Sequence, residues 1–221
     1  MRQPLSYVGR QATRSDGQAR RIAILEATLQ VIVQEGVRGV RHRAVAKVAN
    51  VPLASTTYYF NDIKDLISDA LTYFAEKTQW MNQALEQQSL ALLSGLDASL
   101  LGSTEGRARL IATLTSLVCA HIRQQVSQRE HRILEYAFHE EALRNPQLAR
   151  AIKGLDDTLL ASIMQFFELI EDRNPLSCSY QVLGLIKVLE YQYVLSGGVA
   201  DDDTELALVV SGMFTSLLGQ R

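Results

Sequence analysis

The sequence places basic side chains directly before a short run of small and hydroxyl side chains. Arg41, Arg43 and Lys47 supply the positive charge, and the run 53–57 (LASTT) follows them. Positive side chains hold phosphates, and short side chains let a helix enter the major groove of B-DNA, which is about 12 Å wide. This combination predicts contact with double-stranded DNA.

Two short helices joined by a tight turn would position these side chains. Apolar residues at helical spacing predict a first helix over 41–48. Asn50 tolerates the left-handed backbone of a sharp turn, and Pro52 is compatible with the first turn of a second helix, predicted over 53–60. The pattern is typical of a helix-turn-helix whose second helix reads DNA. An ordinary helical hairpin of a globular core is the alternative.

The rest of the chain is also predicted to be helical. A helix capped by Ser15 or Asp16 should run to about Glu35 and end at Gly36, which would complete a three-helix headpiece. Asn61-Asp62 should cap the following helix, and the acidic residues 201–203 should cap the last one. The helices after the headpiece are predicted over 62–94, 105–127, 129–144, 146–172, 176–197 and 202–219.

These elements define a fold class and a domain organisation. We predict an all-α fold, with a three-helix DNA-binding headpiece that contains the helix-turn-helix and a larger helical body for ligand binding and dimerisation. The predicted domains are a flexible N-terminal arm (1–15), the DNA-binding domain (16–62) and the body (63–221).

Positive charge is concentrated near the N-terminus. Residues 1–60 hold nine basic and three acidic side chains, a net charge of +6. Since the whole chain has a net charge of −2, the remaining residues have a net charge of −8. A basic head on an acidic body is typical of a nucleic-acid reader whose second domain faces away from DNA. Arg10 and Arg14 lie in the predicted arm, which is either disordered or reaches a phosphate or the minor groove beside the main contact.

Composition excludes several classes of protein. No apolar run is long enough to span a membrane, and the N-terminus lacks the apolar core of a secretory signal. Cys119 and Cys178 lie far apart in apolar helices, which favours free buried thiols over a disulfide. We therefore expect a soluble cytoplasmic protein.

The headpiece residues resemble one known family. The pattern consists of Arg43-x-Val45-Ala46, Val51-Pro52, Ser55-x-x-Tyr58-Tyr59-Phe60 and Leu66, ahead of an all-helical body with a terminal helix pair. It resembles the TetR-type (tetracycline-repressor-like) transcriptional regulators over about residues 18–70. The resemblance implies a cytoplasmic repressor that binds a palindromic operator as a homodimer and is released when a small apolar ligand binds in its body.

The resemblance also implies which residues contact DNA. Arg43 lies where the family often contacts a phosphate, at the start of its second helix. Three positions depart from the family pattern: Asn50 replaces the usual turn glycine, Thr57 an often phosphate-binding tyrosine, and Ile63 a common lysine. We expect the outward side of the second helix to read bases through thymine-methyl contacts and hydroxyl hydrogen bonds. The predicted DNA-contacting residues are Arg41, Arg43, Leu53, Ala54, Ser55, Thr56, Tyr58, Tyr59 and Lys64.

Large apolar side chains and a few polar groups are spread over the middle helices of the body. Small-molecule sites are usually apolar pockets with few polar groups, so these residues are candidates for a ligand site. Each of them could equally be an ordinary core residue. The candidates are Trp80, Thr113, Leu117, His121, Phe138, Met164, Phe167 and Tyr193.

The last two predicted helices have wide apolar faces. Gly184 and Gly212 would allow another helix to approach closely. Helix-turn-helix readers usually dimerise because operators contain two half-sites, so this helix pair is a candidate intersubunit bundle, with a simple core role as the alternative. The candidate interface residues are Leu183, Gly184, Lys187, Tyr191, Val209, Met213 and Phe214.

No motif in the sequence indicates an enzyme or a cofactor. A glycine-rich phosphate loop and a Ser-His-Asp or Cys-His arrangement are both missing. His131, Glu135 and His139 share one helical face, but three ligands spread over two turns of one helix rarely hold a metal, so we predict a polar stripe and no metal site. The alternatives to a regulator are an all-helical small-molecule carrier or enzyme with an incidental basic N-terminus, and an architectural DNA binder without a ligand.

Overall fold

The structure is a computed structural model that describes residues 6–94, 103–170, 174–199 and 204–219, with side chains up to Thr78 in the first range. Within these ranges the chain forms helices and turns and no strand, which confirms the predicted all-α fold. A short 3-10 helix covers Val37–Gly39. The α-helices are α1 (Ser15–Glu35), α2 (His42–Val48), α3 (Leu53–Tyr59), α4 (Ile63–Ser94), α5 (Thr104–Ser127), α6 (Arg129–Ala142), α7 (Pro146–Leu169), α8 (Pro175–Leu195) and α9 (Thr204–Leu218).

Local capping signals account for several of the helix ends. Gly36 ends α1 with a φ of 74°, and the Asn174 side chain accepts a hydrogen bond from the Ser177 N–H, 3.2 Å away, at the start of α8. The predicted cap of α1 is wrong, because Ser15 is already helical and the capping position is Arg14, whose side chain makes no capping bond. The predicted acidic cap at 201–203 lies outside the described residues.

The described residues divide into two compact units. The first unit contains the described residues within Met1–Gln83 and Ile133–Leu155. The second unit contains the described residues within Ala84–Arg132 and Asp156–Arg221. The predicted domain boundaries at 16–62 and 63–221 stay a prediction. The sequence did not indicate that residues 133–155 belong with the headpiece. Their side chains Leu134, Phe138, Ala142, Leu148 and Ala151 join the same hydrophobic core as α1–α4.

The second unit has a core of its own. In it, α5 packs against both α8 and α9. Its buried side chains include Ile122, Phe167, Leu206 and Val210, none of which is exposed to solvent. Cys119 and Cys178 both lie buried in this core.

The turn between α2 and α3 is closed by backbone hydrogen bonds. The Val51 N–H donates to the Ala46 carbonyl at 3.0 Å, and the Asn50 N–H donates to the Lys47 carbonyl at 3.3 Å, which together form a Schellman motif. Asn50 has a φ of 50°, the left-handed conformation that the sequence predicted. Pro52 then precedes the first residue of α3 rather than lying within its first turn.

Replacing Asn50 tests this turn. The Asn50→Ala variant is expected to lose about 1 kcal/mol of unfolding free energy, because alanine tolerates the left-handed conformation less well than asparagine. Asn50→Gly is expected to be at least as stable as the natural chain, since glycine adopts this conformation without steric cost. Urea unfolding of the two variants measures the difference, and an alanine variant as stable as the glycine variant would contradict the argument.

Residues 6–14 make hydrogen bonds to the headpiece, and the flexible arm over 1–15 stays a prediction. The Arg10 N–H donates to the Tyr59 carbonyl at 2.8 Å, and the Val8 N–H donates to the Asp69 carboxylate at 2.7 Å. These bonds attach the segment to α3 and α4. The sequence suggested disorder because the segment lacks periodicity, but its backbone donors are satisfied by groups distant in the chain.

Candidate nucleic-acid interface

The exposed side of α3 carries small and apolar side chains. Leu53, Ala54, Thr57 and Tyr58 are exposed and Ser55 is half-buried. At the N-terminal end of a short helix, such side chains leave room for a base-pair edge to approach. The structure therefore places Leu53, Ala54 and Tyr58 outward, as predicted, and adds Thr57, which the sequence had set aside.

Thr56 does not belong to this surface. Its side chain is 0% exposed, and its hydroxyl donates to the Leu53 carbonyl at 2.8 Å. The predicted outward position of Thr56 is wrong, because a threonine can satisfy its own hydroxyl on the preceding helical turn and pack its methyl group inward. Among the serine and threonine hydroxyls of α3, those of Ser55 and Thr57 remain for a base-reading hydrogen bond.

The two adjacent tyrosines of α3 have different roles. Tyr59 is buried, and its hydroxyl donates to the Gly17 carbonyl at 3.2 Å, so the predicted DNA contact by Tyr59 is wrong. Tyr58 is 52% exposed and meets Tyr59 edge-to-face, with ring centroids 5.0 Å apart. Tyr58 is the tyrosine whose hydroxyl remains accessible to a DNA phosphate.

Exposed cations flank α3 along the chain in the first unit. Arg41, Arg43 and Lys64 are all exposed, as the predicted phosphate contacts require. The Arg41 guanidinium donates to the carbonyls of Arg38 at 2.6 Å and Val40 at 3.1 Å, which holds it against the loop before α2. Among the described ion pairs, none joins these three cations to a carboxylate, so their charge is available to an external anion.

The sequence missed the position of Arg10. Its guanidinium carbon lies 4.2 Å from the centroid of the Tyr58 ring, a cation–π contact at the exposed end of α3. Arginine content alone marked Arg10 as a candidate in the N-terminal arm. Its place beside α3 follows from the tertiary bonds of the segment, for which the sequence contains no local signal.

The predicted ligand-binding residues of the body are divided between the two compact units. Phe167 is fully buried in the core of the second unit, with Tyr193 packed against that core, and Leu117 and Met164 are half-buried. Phe138 belongs instead to the core of the first unit, and Thr113 is exposed, with its hydroxyl bonded to the Arg109 carbonyl at 3.0 Å. Trp80 has its side chain outside the described residues.

Charged side chains that the sequence did not single out lie within the second unit. Glu190 is nearly buried and lies 3.6 Å from the Arg132 guanidinium and 3.4 Å from the His121 ring. His121 is therefore a partner of a buried carboxylate rather than an isolated polar group among apolar ones.

The predicted dimer surface is only partly exposed. Leu183 and Phe214 are buried in the chain, so they cannot form the predicted surface, and Lys187 lies 2.6 Å from Asp156. Gly184, Tyr191 and Val209 are exposed, while Met213 packs against the second core. Five of the exposed residues of α8 form a stripe with helical spacing, called the α8 stripe here: Tyr180, Gly184, Val188, Tyr191 and Leu195.

The described residues contain no group of three or more His, Cys, Asp or Glu side chains suited to a metal ion. His139 lies 3.9 Å from Glu135 on the same helix turn, consistent with a polar stripe. No helix in the described part of the chain is long and apolar enough to cross a membrane.

The helical headpiece with α2 and α3 at a Schellman turn defines a helix-turn-helix protein with an all-helical second unit. No family profile and no curated protein sequence matches the chain. Solved structures do match it over most of its length. A transcriptional regulator from Rhodococcus sp. Rha1 is 18% identical, with a TM-score of 0.61, over 90% of this chain and 96% of that chain.

Two other solved structures agree with this match. A TetR-family member from Streptomyces coelicolor A3 is 23% identical, with a TM-score of 0.55, over 88% of this chain and 97% of its own. The multidrug-binding protein EbrR in complex with proflavin is 22% identical, with a TM-score of 0.50, over 88% of this chain and 99% of its own. The chain therefore has the fold of the TetR-family transcriptional regulators.

Proposed function

We propose that this chain is a ligand-responsive transcriptional regulator that binds DNA through α3. The observation that carries the proposal is the short exposed helix α3, which has small outward side chains and is flanked along the chain by the exposed cations Arg41, Arg43 and Lys64. Helices of this kind enter a major groove while basic side chains at its edges hold phosphates. The likeness to solved transcriptional regulators supports the same function.

The proposal includes a repressor that acts as a homodimer on a palindromic operator. Two copies would present two α3 helices to half-sites one helical turn apart, or a multiple of it. The exposed α8 stripe supports an interface between copies, because a contiguous apolar face on a helix gains free energy when a partner covers it. Gly184 in that stripe has open space around the position of a side chain.

The second unit is the proposed ligand-binding part. The fold is shared with EbrR, a multidrug-binding protein whose structure contains proflavin. A small apolar ligand in the second unit would release the DNA if it bound more tightly to a form of the dimer whose headpiece spacing no longer matches two successive major grooves. Phe167, Tyr193, Leu117 and Met164 are the remaining candidates to contact it.

Selection of bound duplexes from a random DNA pool, at near-physiological salt, tests the proposal. An enriched palindrome is expected, and its half-site spacing would give the separation of the two α3 helices. The enriched duplex then serves as the probe for compounds that release the protein. If no sequence is enriched and binding disappears with modest salt, the regulator proposal is wrong, and a carrier or enzyme becomes the better description.

Two substitutions separate phosphate contacts from base contacts. Arg43→Gln is expected to weaken binding to all sequences and to reduce the slope of log K against log salt by about 0.9 for each chain bound. Leu53→Ala is expected to keep that slope and to reduce the penalty, about 1–3 kcal/mol, for a mismatched base pair at the position that Leu53 contacts. Titrations at several salt concentrations on matched and mismatched duplexes measure both effects. A smaller salt slope in Leu53→Ala, or a changed mismatch penalty in Arg43→Gln, would contradict the assignment of Arg43 to a phosphate and Leu53 to a base.

A further inference from the structure

Residues 7–10, the N-terminal strap, are held by a buried carboxylate of α4. Asp69 accepts hydrogen bonds from the N–H of Val8 at 2.7 Å, from the N–H of Gly9 at 3.0 Å and from the Arg21 guanidinium at 2.5 Å. Its side chain is 0% exposed. A buried carboxylate needs such donors, because an unpaired charge in the interior is costly. The strap therefore supplies two of the three described donors that Asp69 uses.

The strap also fits closely against the headpiece core. A side chain at Gly9 would place its Cβ 2.5 Å from the Phe60 ring and 2.9 Å from Asp69, so the backbone approaches the core where only glycine fits. Tyr7 stacks beneath the Arg21 guanidinium at 4.6 Å, and its hydroxyl donates to the Glu76 carboxylate. These contacts fix the direction in which the strap leaves α4.

The strap ends beside α3. The Arg10 N–H donates to the Tyr59 carbonyl at 2.8 Å, and the exposed Arg10 guanidinium lies over the Tyr58 ring. Because the backbone and the side chain of Arg10 are both held in place, little conformational entropy would be lost when its guanidinium binds an anion. A mobile arm would lose that entropy at the moment of binding.

We propose that Arg10 contacts a DNA phosphate and that Asp69 is the positioning residue that holds the strap for this contact. The inference rests on the proposed function, since it assigns one more contact to the same DNA interface. Arg10 lies beside the last turn of α3, whereas base edges are read mainly from the N-terminal end of a recognition helix. Its planar guanidinium matches the geometry of a phosphate, so the contact is to the backbone at the groove edge.

The first test removes the charge and keeps the strap. In the full-length protein, Arg10→Gln is expected to reduce the slope of log K against log salt by about 0.9 for each chain bound, equally for all DNA sequences. The glutamine retains its backbone N–H, so hydrogen exchange of the peptide covering residues 6–14 should stay as slow as in the natural chain. Arg109→Gln, an exposed arginine of the second unit, is the charge control and should leave the slope unchanged.

The second test releases the strap and keeps the charge. Val8→Pro removes the N–H that donates to Asp69, and because Val8 is 53% exposed the substitution leaves the core untouched. We expect faster hydrogen exchange over residues 6–14 and the same loss of slope as in Arg10→Gln. Val8→Ala keeps the N–H and should behave as the natural chain. The double variant Val8→Pro/Arg10→Gln should lose no more slope than Arg10→Gln alone.

Several outcomes would overturn the inference and leave the proposed function intact. An unchanged slope of log K against log salt in Arg10→Gln would exclude the phosphate contact by Arg10. A loss of preference at particular base pairs in Arg10→Gln would indicate groove reading instead. If Val8→Pro shows faster hydrogen exchange over residues 6–14 but keeps the salt slope of the natural chain, the strap does not position Arg10. If the natural chain enriches no DNA sequence, the proposed function fails and this inference fails with it.

Discussion

Replacing Arg21 by Met is expected to lower the free energy of unfolding by about 3–5 kcal/mol at neutral pH. Arg21 and Asp69 join α1 to α4 through a 2.5 Å ion pair whose side chains are 8% and 0% exposed. Removing the cation leaves a buried carboxylate with only the strap N–H groups of Val8 and Gly9 as described donors. Breaking a buried pair from one side costs more than the pair contributes, because the remaining charge cannot return to water.

The loss in Arg21→Met should depend on pH. Burial raises the pKa of the Asp69 carboxyl, while the Val8 and Gly9 N–H groups and Arg21 oppose that rise. Without Arg21 the folded-state pKa rises further. A carboxyl group with a raised folded-state pKa favours folding below its unfolded pKa of about 4, and that contribution is lost as the pH rises through the folded-state value. The variant should therefore be closest to the natural chain in acid and weakest at neutral and alkaline pH.

Urea unfolding at several pH values measures this effect, and the chain contains a matched control. Lys77 and Glu26 form a second ion pair between α4 and α1, at 3.2 Å, with both side chains about half exposed. Lys77→Met should cost at most about 1 kcal/mol, because exposed pairs contribute little. Arg21→Met/Asp69→Asn should recover part of the loss at neutral pH. A double variant as unstable as Arg21→Met would contradict the buried-charge explanation.

Replacing Val188 by Asp is expected to separate the proposed dimer into monomers. Val188 is 53% exposed in the middle of the α8 stripe, with Gly184 and Tyr191 one turn away on either side. A charge there would have to be buried against the partner without a counter-charge, which disfavours association. A monomer engages one half-site at a time, so affinity for the palindrome should fall about 10²- to 10⁴-fold.

Sedimentation and DNA titration measure the two consequences separately. The variant should sediment as a monomer. Its affinity for a single half-site should match the affinity of one headpiece of the natural chain for the same half-site. Leu143→Asp is the control for introducing a charge at an exposed apolar side chain, since Leu143 is the most exposed large hydrophobic residue described. A Val188→Asp variant that remains a dimer would place the interface elsewhere.

Helix positions were predictable because their signals are local. Gly36, Asn174 and Pro175 mark helix ends through backbone geometry that each residue type favours on its own. Asn50 predicted the left-handed turn for the same reason, and that turn, with the basic residues before it, located the helix-turn-helix. The order of helices then predicted one headpiece followed by a larger helical body.

The rotations of α3 and α8 about their own axes were not predictable. On α3, the run of hydroxyl residues suggested that Thr56 faces outward, but packing turns Thr56 and Tyr59 inward and leaves Thr57 and Tyr58 exposed. On α8, packing buries Leu183 and exposes Val188. Apolar and small polar residues occupy much of the circumference of both helices, so several rotations are nearly equal in free energy. Contacts with other helices then select one rotation.

The sequence by itself determined the helices, the turn at Asn50 and the basic character of the headpiece, because local backbone preference and charge need no partner. Only the tertiary structure decided which side chains of α3 face outward, and that Arg10 lies beside Tyr58. The second arrangement depends on Asp69, far along the chain, whose carboxylate gathers donors from the strap and from α1. Bonds between residues so distant in sequence leave no periodic signal, since their geometry exists only after the helices have packed.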